Sequence, residues 1–536
     1  MSRLQEIFAV HPVCDAHFTC GPELIFPSRP LSEGPMALPY QRPSIHCRTF
    51  TSPLVEKVIE DMTSKMVDKD LARLFENAFP NTLDTTVRWH QNGTIKHSEL
   101  KRDTRDGKWQ GPHSFVVTGD INAEWLRDST NQLLQYQPLA KKDEALFNLI
   151  LGAINTQAEY VIESPYCNAF QPPPPSGLAA TENGQNDNVH PAYEPSFVFE
   201  CKYELDSLAH FLSIGNSFFN HTQSTAFLTS RWYKALDTVL TVLDQQSQST
   251  FDPDTGRFEK NIYTFSRRTE QGTETLPLSG VGNPLNYGTG LVRSAFRPSD
   301  DATTLGFYIP ANAQMAVELK RTAGVLRAAK DIPMAQLLEK RAQAITDGIW
   351  DHGVVQHKTF GRVFAYEIDG YGSHILMDDA NVPSLLALPI MGFVEKTDPV
   401  YVNTRKMLLR KDGNPYYLEG KAFHGIGGPH IGLEYAWPMS LLLQAMTSDN
   451  DTEIMDCLGL VLQASRLGLV HESINVNRIH DYTRSWFACK SPASRMEAQH
   501  ANLLNRGQQC LCTDNTGYRK TETTFDIWEG CRTIHG

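Results

Sequence analysis

The sequence predicts a mainly helical fold laid out as a toroid of helical hairpins, on two observations. Apolar residues recur at helical spacing through long segments, whereas strictly alternating strand patterns are few. Six polar islands dense in Trp, Arg, Asp, Asn, Gly and His interrupt those segments, around residues 119–130, 186–207, 293–312, 371–384, 424–440 and 471–487. The clearest stripes are Leu146/Ile150/Ile154/Val161, Trp232/Leu236/Leu240/Leu243, Leu338/Ala342/Ile345/Ile349 and Ile454/Leu458/Val461. Paired helices joined by loops at one end would gather the islands around a common centre.

Two stretches are expected to stay irregular. Residues 171–190 (QPPPPSGLAATENGQNDNVH) cannot be a helix, because four consecutive prolines lack N–H donors and the Gly/Asn-rich run after them favours turns; this is a loop and a candidate lid. The first 40 or so residues, rich in Pro and Gly, read as an extension.

Composition removes several function classes. With 41% hydrophobic and 21% charged residues over 536 positions, the chain is neither disordered nor fibrous. Lys and Arg number 49 against 61 Asp and Glu, so the formal charge of −12 repels phosphate backbones and anionic lipid. Nucleic acid and membrane are therefore not expected partners. No window approaches the roughly 18–20 apolar residues of a membrane span, and the N-terminal MSRLQEIFAVHPVCDAHF is broken by charge and His, unlike a signal segment. Sequons at Asn92, Asn220 and Asn450 leave the compartment open. The ten cysteines are scattered apart from Cys14/Cys20 and Cys510/Cys512, which predicts no zinc site and mostly reduced thiols.

The islands carry the chemistry. The first, Thr118-Gly119-Asp120-Ile121-Asn122-Ala123-Glu124-Trp125-Leu126-Arg127-Asp128-Ser129, combines an aromatic face with a guanidinium and carboxylates. Trp125 can stack on the C–H face of a pyranose while Arg127 and Asp128 pair with hydroxyls, which is a sugar-binding vocabulary. In the second, Asn186–His190 and Tyr203–Ser207, acids two apart on a helix do not share a face, so one of Glu204 and Asp206 is expected at a site, and Asp206 is chosen. The third, Arg297-Pro298-Ser299-Asp300-Asp301 with Ile309-Pro310-Ala311-Asn312, reads either as a helix cap at Ser299 or Asp300 or as an acid pair in which one pKa is raised for proton donation.

The fourth island, Ser373–Ser384, sets Asp378 and Asp379 beside Asn381, but without the alternating ligands of a calcium loop, so no metal is expected. In the fifth, GIGGPHIG with YAWPMS, Pro429 and the lack of a preceding apolar strand argue against a nucleotide loop and leave His430 and Trp437 as candidates. The sixth, His471-Glu472-Ser473 with Thr483–Phe487, lacks the second His of a zincin and leaves Glu472 as a lone acid. Neither a serine-nucleophile elbow nor a phosphate-binding P-loop is present.

Taken in order, GDINAEWLRDS, YELDS, RPSDDA with IPAN, MDDANVPSLL, GIGGPHIG with YAWPMS, and HES with TRSWFA resemble glycoside hydrolase family 125, the metal-independent exo-α-1,6-mannosidases. The resemblance runs from about Arg42 to Ala488 and implies an irregular extension over 1–41, an (α/α)6 catalytic domain over 42–488 and an atypical tail over 489–536. It implies inverting release of a terminal non-reducing α-1,6-linked mannose from N-glycan or mannan fragments, with no cofactor and no metal. In such chemistry one carboxylic acid protonates the glycosidic oxygen and a second carboxylate deprotonates the attacking water. By the same resemblance the acid lies in Asp300/Asp301, Asp300 being favoured, and the base is Glu472. Trp125, Arg127, Asp128, Asp206, Asn312, Asp378, Asp379, His430 and Trp437 would line the mannose pocket. A mannose-binding protein without turnover, an α-glucosidase of similar architecture, and a calcium-dependent mannosidase using Asp378/Asp379 are the alternatives.

Overall fold

The computed structural model describes residues 29–93 and 108–485, so the tail from 489 and most of the N-terminal extension lie outside it. Among the described residues, eleven helices of nine or more residues build the body: α1 (Pro53–Lys65), α2 (Lys69–Ala78), α3 (Leu126–Leu134), α4 (Glu144–Glu163), α5 (Leu205–Thr222), α6 (Ser230–Gln246), α7 (Ile309–Ala328), α8 (Ile332–His352), α9 (Pro399–Leu408), α10 (Pro438–Met446) and α11 (Asp451–Ala464). All four apolar stripes read from the sequence fall inside them, in α4, α6, α8 and α11. Among the described residues no helix is long and apolar enough to cross a membrane.

The helices are of two kinds, and burial separates them. Every residue of α3 is buried, as is every residue of α10 except Gln444, and α5 and α7 are covered almost all round. In α8, by contrast, the buried positions are Ala335, Leu338, Ala342, Ile345, Gly348 and Ile349, one face of an amphipathic helix. Consecutive helices pack as hairpins in α1/α2, α7/α8 and α10/α11. The inner helices α3, α5 and α7 also pack side by side, with α4 against α6 outside them. The outer caps are local: Asp143 accepts from the N–H groups of Ala145 and Leu146, Asp331 from Met334, and Asn450 from Thr452 and Glu453.

Short strands, which the sequence did not reveal, supply the rest. The described residues contain seven sheets of two or three strands, most strands being two to five residues long. Three of them introduce inner helices directly: Glu124–Trp125 leads into α3, Phe307–Tyr308 into α7 and Tyr435–Ala436 into α10. Each lies in a three-stranded sheet, so the start of each of these helices, where the islands fall, is fixed by strand pairing as well as by packing.

The candidate lid is tied down rather than loose. It holds a 3-10 turn at Pro174–Ser176, and its end, Asp187–His190, pairs antiparallel with Thr264–Arg267. Gln171 exchanges hydrogen bonds with the backbone of Thr181, and Asn183 donates to the Phe199 carbonyl. The cysteine expectation is corrected. Cys167 and Cys201 form a disulfide, and Cys47 is also disulfide-bonded, leaving Cys457 as the free cysteine among the described residues. The reason is strand pairing: Ala169 stands opposite Glu200, which brings the two flanking cysteines together although 34 residues separate them.

A seam joins distant parts of the chain. Asn77 in α2 donates to the Gly468 carbonyl at 2.8 Å, Gln41 donates to Leu467 at 2.7 Å, and Leu38, Leu74 and Leu462 form a small apolar cluster. Gly468 has φ +75°, and a Cβ there would meet the Pro39 carbonyl oxygen at 2.6 Å, so the seam requires glycine at this position.

Candidate active site

Arg127, in the first turn of α3, organises the first group of side chains. Its Nη1 donates to Glu204 Oε2 at 2.5 Å and to Asp206 Oδ2 at 3.1 Å, and its Nε lies 3.5 Å from Asp128. Glu204 also accepts from Ser207 and from the Asn168 amide. Burial alone would lower the Arg127 pKa, yet Glu204, Asp128, Asp206 and Asp300 together hold it well above its ordinary value. Asp206 is pushed up by burial, with Arg127 pulling the other way. The expectation that one of Glu204 and Asp206 would face the site is corrected: both meet the same guanidinium. Glu204 is the N-cap of α5 with extended backbone, so helical spacing does not govern where it points.

Asp300 belongs to this group. Its charge acts on Arg127, Asp206 and Lys202, and Lys202 in turn lies 3.2 Å from Glu200 and over the Phe296 ring. Asp300 also has φ +66°, a left-handed conformation that a non-glycine residue rarely adopts and that here turns the chain between Arg297 and Asp301. Neither Ser299 nor Asp300 caps a helix, since α7 starts at Ile309. Its neighbour Asp301 is 1% exposed and takes a hydrogen bond from the Ser299 hydroxyl at 2.8 Å.

The turn links to a second group. Arg297 donates to Glu367 at 2.6 Å, and Glu367 also accepts from the Thr304 and Leu305 N–H groups. Asp379 feels the charges of Asp301 and Arg297; its pKa is raised, mainly by burial. One Asp379 oxygen accepts from Asn381 twice, through backbone and side chain. The other finds no hydrogen-bond partner among the described residues and lies under Gly428, where a Cβ would stand 2.5 Å from it. Asp378 turns away to accept from Leu385 and Leu386 N–H at 2.9 Å each, and burial pushes its pKa up to about 8. Among the described residues no three His, Cys, Asp or Glu side chains are grouped to hold a metal ion.

The other positions differ in what they offer. Trp125 packs edge-on against Phe199, and its buried indole N–H finds no partner among the described residues, as a group waiting for a ligand hydroxyl would. Trp437 is buried among Ala380, Met439 and Ile431, at the start of α10. His430 is exposed on a 3-10 turn at Pro429–Ile431. Asn312 is committed internally: its oxygen accepts from Val292 N–H and its amide donates to the Val292 and Tyr308 carbonyls.

Glu472 stands in a further group with residues from both ends of the described chain. Its Oε2 accepts from the Thr483 hydroxyl at 2.8 Å and lies 3.4 Å from Arg484 Nε, and Arg484 pairs with Asp120 of the first island. His471 donates through Nδ1 to the Ser485 carbonyl at 2.7 Å and stacks flat on Tyr482, with burial lowering its pKa to about 4. The structure thus brings Arg127, Asp128, Asp206 and Asp300 together, joins Asp301 and Asp379 to them through the 297–301 turn, and ties Glu472 to the first island. Glu204 was weighed against Asp206 in the sequence and set aside, whereas Lys202 and Asn168 were missed. Lys202 lies in the second island as an ordinary charged residue, and Asn168 lies outside every island.

Comparison with known proteins gives the family. The sequence profile of the metal-independent alpha-mannosidases (GH125) matches residues 68–492. The meiotically up-regulated gene 157 protein of Schizosaccharomyces pombe is 54% identical over 456 residues, covering 85% of this chain and 87% of that one. A metal-independent α-mannosidase of Streptococcus pneumoniae, solved in a non-productive complex with α-1,6-mannobiose, superposes with a TM-score of 0.71 at 28% identity, covering 85% of this chain and 99% of that one. The chain belongs to the metal-independent α-mannosidase family, GH125.

Proposed function

We propose that this protein is an exo-acting α-1,6-mannosidase that releases a terminal non-reducing mannose with inversion, on N-glycan or mannan fragments. The observation that carries the substrate is the similarity along 99% of a protein whose structure holds α-1,6-mannobiose. The helices are read as the six-hairpin toroid, for which the seam between residues 38–77 and 462–468 is the supporting contact.

Asp300 is the general acid and Glu472 the general base. Asp300 gives its proton to the glycosidic oxygen as the bond from that oxygen to C1 breaks. Water adds to C1 from the opposite face and passes its proton to Glu472, giving β-mannose and the shortened glycan. An inverting pair stands roughly 6.5–9.5 Å apart to leave room for the water. The conformation of Asp300, unusual for a non-glycine residue and set among Lys202, Arg127 and Asp206, supports it over Asp301, which is buried against Ser299. The indole N–H of Trp125, the second oxygen of Asp379 and the buried N–H groups of Arg127 not used in its ion pairs are suited to sugar hydroxyls. Groups of this kind, left unpaired by a wrong sugar, discriminate strongly.

The test is to follow anomeric signals by proton NMR while the protein acts on α-1,6-mannobiose, with and without EDTA, beside Glu472→Gln. Early β-mannose, unaffected by EDTA and absent in the variant, is the expected result. Binding of mannobiose without release would establish a lectin-like protein instead, and loss of activity in EDTA would establish a metal-dependent hydrolase.

A further inference from the structure

Glu472 is held from one side. Thr483 donates to its Oε2, and Ser473 Oγ lies 2.7 Å from Thr483 Oγ1. A hydroxyl has one hydrogen, and that of Thr483 goes to the carboxylate, so Ser473 must be the donor to Thr483. The result is a one-way chain, Ser473 to Thr483 to Glu472, which is complete only while Oε2 is an acceptor. Arg484 Nε approaches the same oxygen, and Oε1 takes no hydrogen bond from any described residue.

The chain is built by a hairpin. Thr483 N–H donates to the Ser473 carbonyl, and strands Ile474–Asn475 and Arg478–Tyr482 pair between them, with Asn475 Oδ1 closing the turn by accepting from Asn477 and Arg478 N–H. Thr483 is itself exposed, so its hydroxyl can be changed without opening the core. The charged or titratable groups around Glu472 are Arg484, Asp120 behind it, and His471, which faces Tyr482 and the Ser485 carbonyl.

We propose that Thr483, oriented by Ser473, is a positioning residue for the general base: it fixes Oε2, so that Oε1 is the oxygen presented to the attacking water. This rests on the reading of Glu472 as the base. Removing the hydroxyl costs a hydrogen bond to a charged group, and that bond acts on the base's orientation.

The experiment compares kcat and KM for α-1,6-mannobiose between pH 4 and 8 in the wild-type protein, Thr483→Val, Thr483→Ser and Ser473→Ala. Thr483→Val is expected to lower kcat about 10-fold or more with little change in KM. Thr483→Ser is expected to stay within about threefold of wild type, since it keeps the donor. Ser473→Ala leaves Thr483 in place and should show a smaller loss in the same direction; it decides the matter if the valine variant does not fold. A valine variant with wild-type kcat overturns the proposal, as does a loss carried by KM or a loss of kcat that serine does not restore. A wild-type protein that binds mannobiose without turnover, or a fully active Glu472→Gln, defeats the underlying reading, and the positioning role falls with it.

Discussion

Arg127 and Asp206 meet across α3 and α5 at 3.1 Å, and the same guanidinium nitrogen reaches Glu204 at 2.5 Å. All three side chains are buried, so the pair of acids depends on one cation that no water can replace. Arg127→Met is expected to destabilise the protein by roughly 3–5 kcal/mol, because it strands buried carboxylates. Arg127→Lys should recover part of this, as a point charge cannot reproduce the fork. Urea unfolding of the variants measures both, and a methionine variant as stable as wild type would show that the cluster protonates at little cost.

The adjacent acids Asp300 and Asp301 are expected to separate by function. Asparagine tolerates a left-handed backbone, so Asp300→Asn should fold normally while kcat drops by about 10²–10⁴, the usual worth of a general acid. Asp301→Asn keeps an acceptor for Ser299 and should lose less than about tenfold. Steady-state kinetics with thermal melts of both variants decide the assignment, and the reverse order would make Asp301 the acid.

The disulfide Cys167–Cys201 joins two strand ends next to Asn168 and Lys202, whose backbone N–H donates to the Asn168 side chain. Closing a loop of this length is worth roughly 3–4 kcal/mol in the chain-entropy treatment. Cys167→Ala with Cys201→Ala is therefore expected to lower the melting temperature and to reduce kcat, because the Lys202 N–H to Asn168 contact sits immediately beside the bridge. Dithiothreitol should lower the melting temperature of the wild-type protein by more than that of the double variant, in which the bridge at Cys47 is still open to reduction; equal melting temperatures in all cases would contradict this.

Stability should fall most steeply on the alkaline side of a pH window in which carboxyl and histidine titrations oppose one another. Burial raises Glu124 from 4.5 and Asp378 from 3.8 to about 8 each, so the folded state holds protons that the unfolded state has released. The stability from these neutral carboxyls is present below their unfolded pKa values and is lost as pH rises from about 4 to about 8. His471 acts with the opposite sign: its pKa is depressed from 6.5 to about 4, so stability falls as pH drops through that window. Melts across pH 4–9 should show the steepest fall from about 6.5 to about 8, above the window in which His471 opposes the carboxyls. Glu124→Gln should flatten that fall, and an unchanged slope would mean that Glu124 is ionised in the fold.

Helices such as α4 and α8 were legible because their apolar stripes run for several turns, long enough for periodicity to speak. The two-residue strands were not, since a Glu124–Trp125 pair has no alternation to detect; with them went the Cys167–Cys201 pairing they create. Among site residues, the islands located Arg127, Asp206 and Asp300 as neighbours in character, and the structure brings them together in space. Glu204 was lost by applying helix spacing one residue outside the helix. Asn312 stood out as a polar residue beside a Pro, whereas its amide is spent on the Val292 and Tyr308 backbone. Thr483 and Ser473 carry no sequence signal, because only the hairpin sets one hydroxyl against the other.

The seam has a consequence during synthesis. Asn77 and Gln41 reach partners at Gly468 and Leu467, and Asp120 finds Arg484 across 364 residues. A growing chain that has emerged only as far as α10 has therefore left Leu74 without the Leu462 it packs against and the first island without its partner cation. Truncated translation products of this protein should be sticky and inactive together, and a ribosome pause before α11 would hold the chain in the state that chaperones recognise.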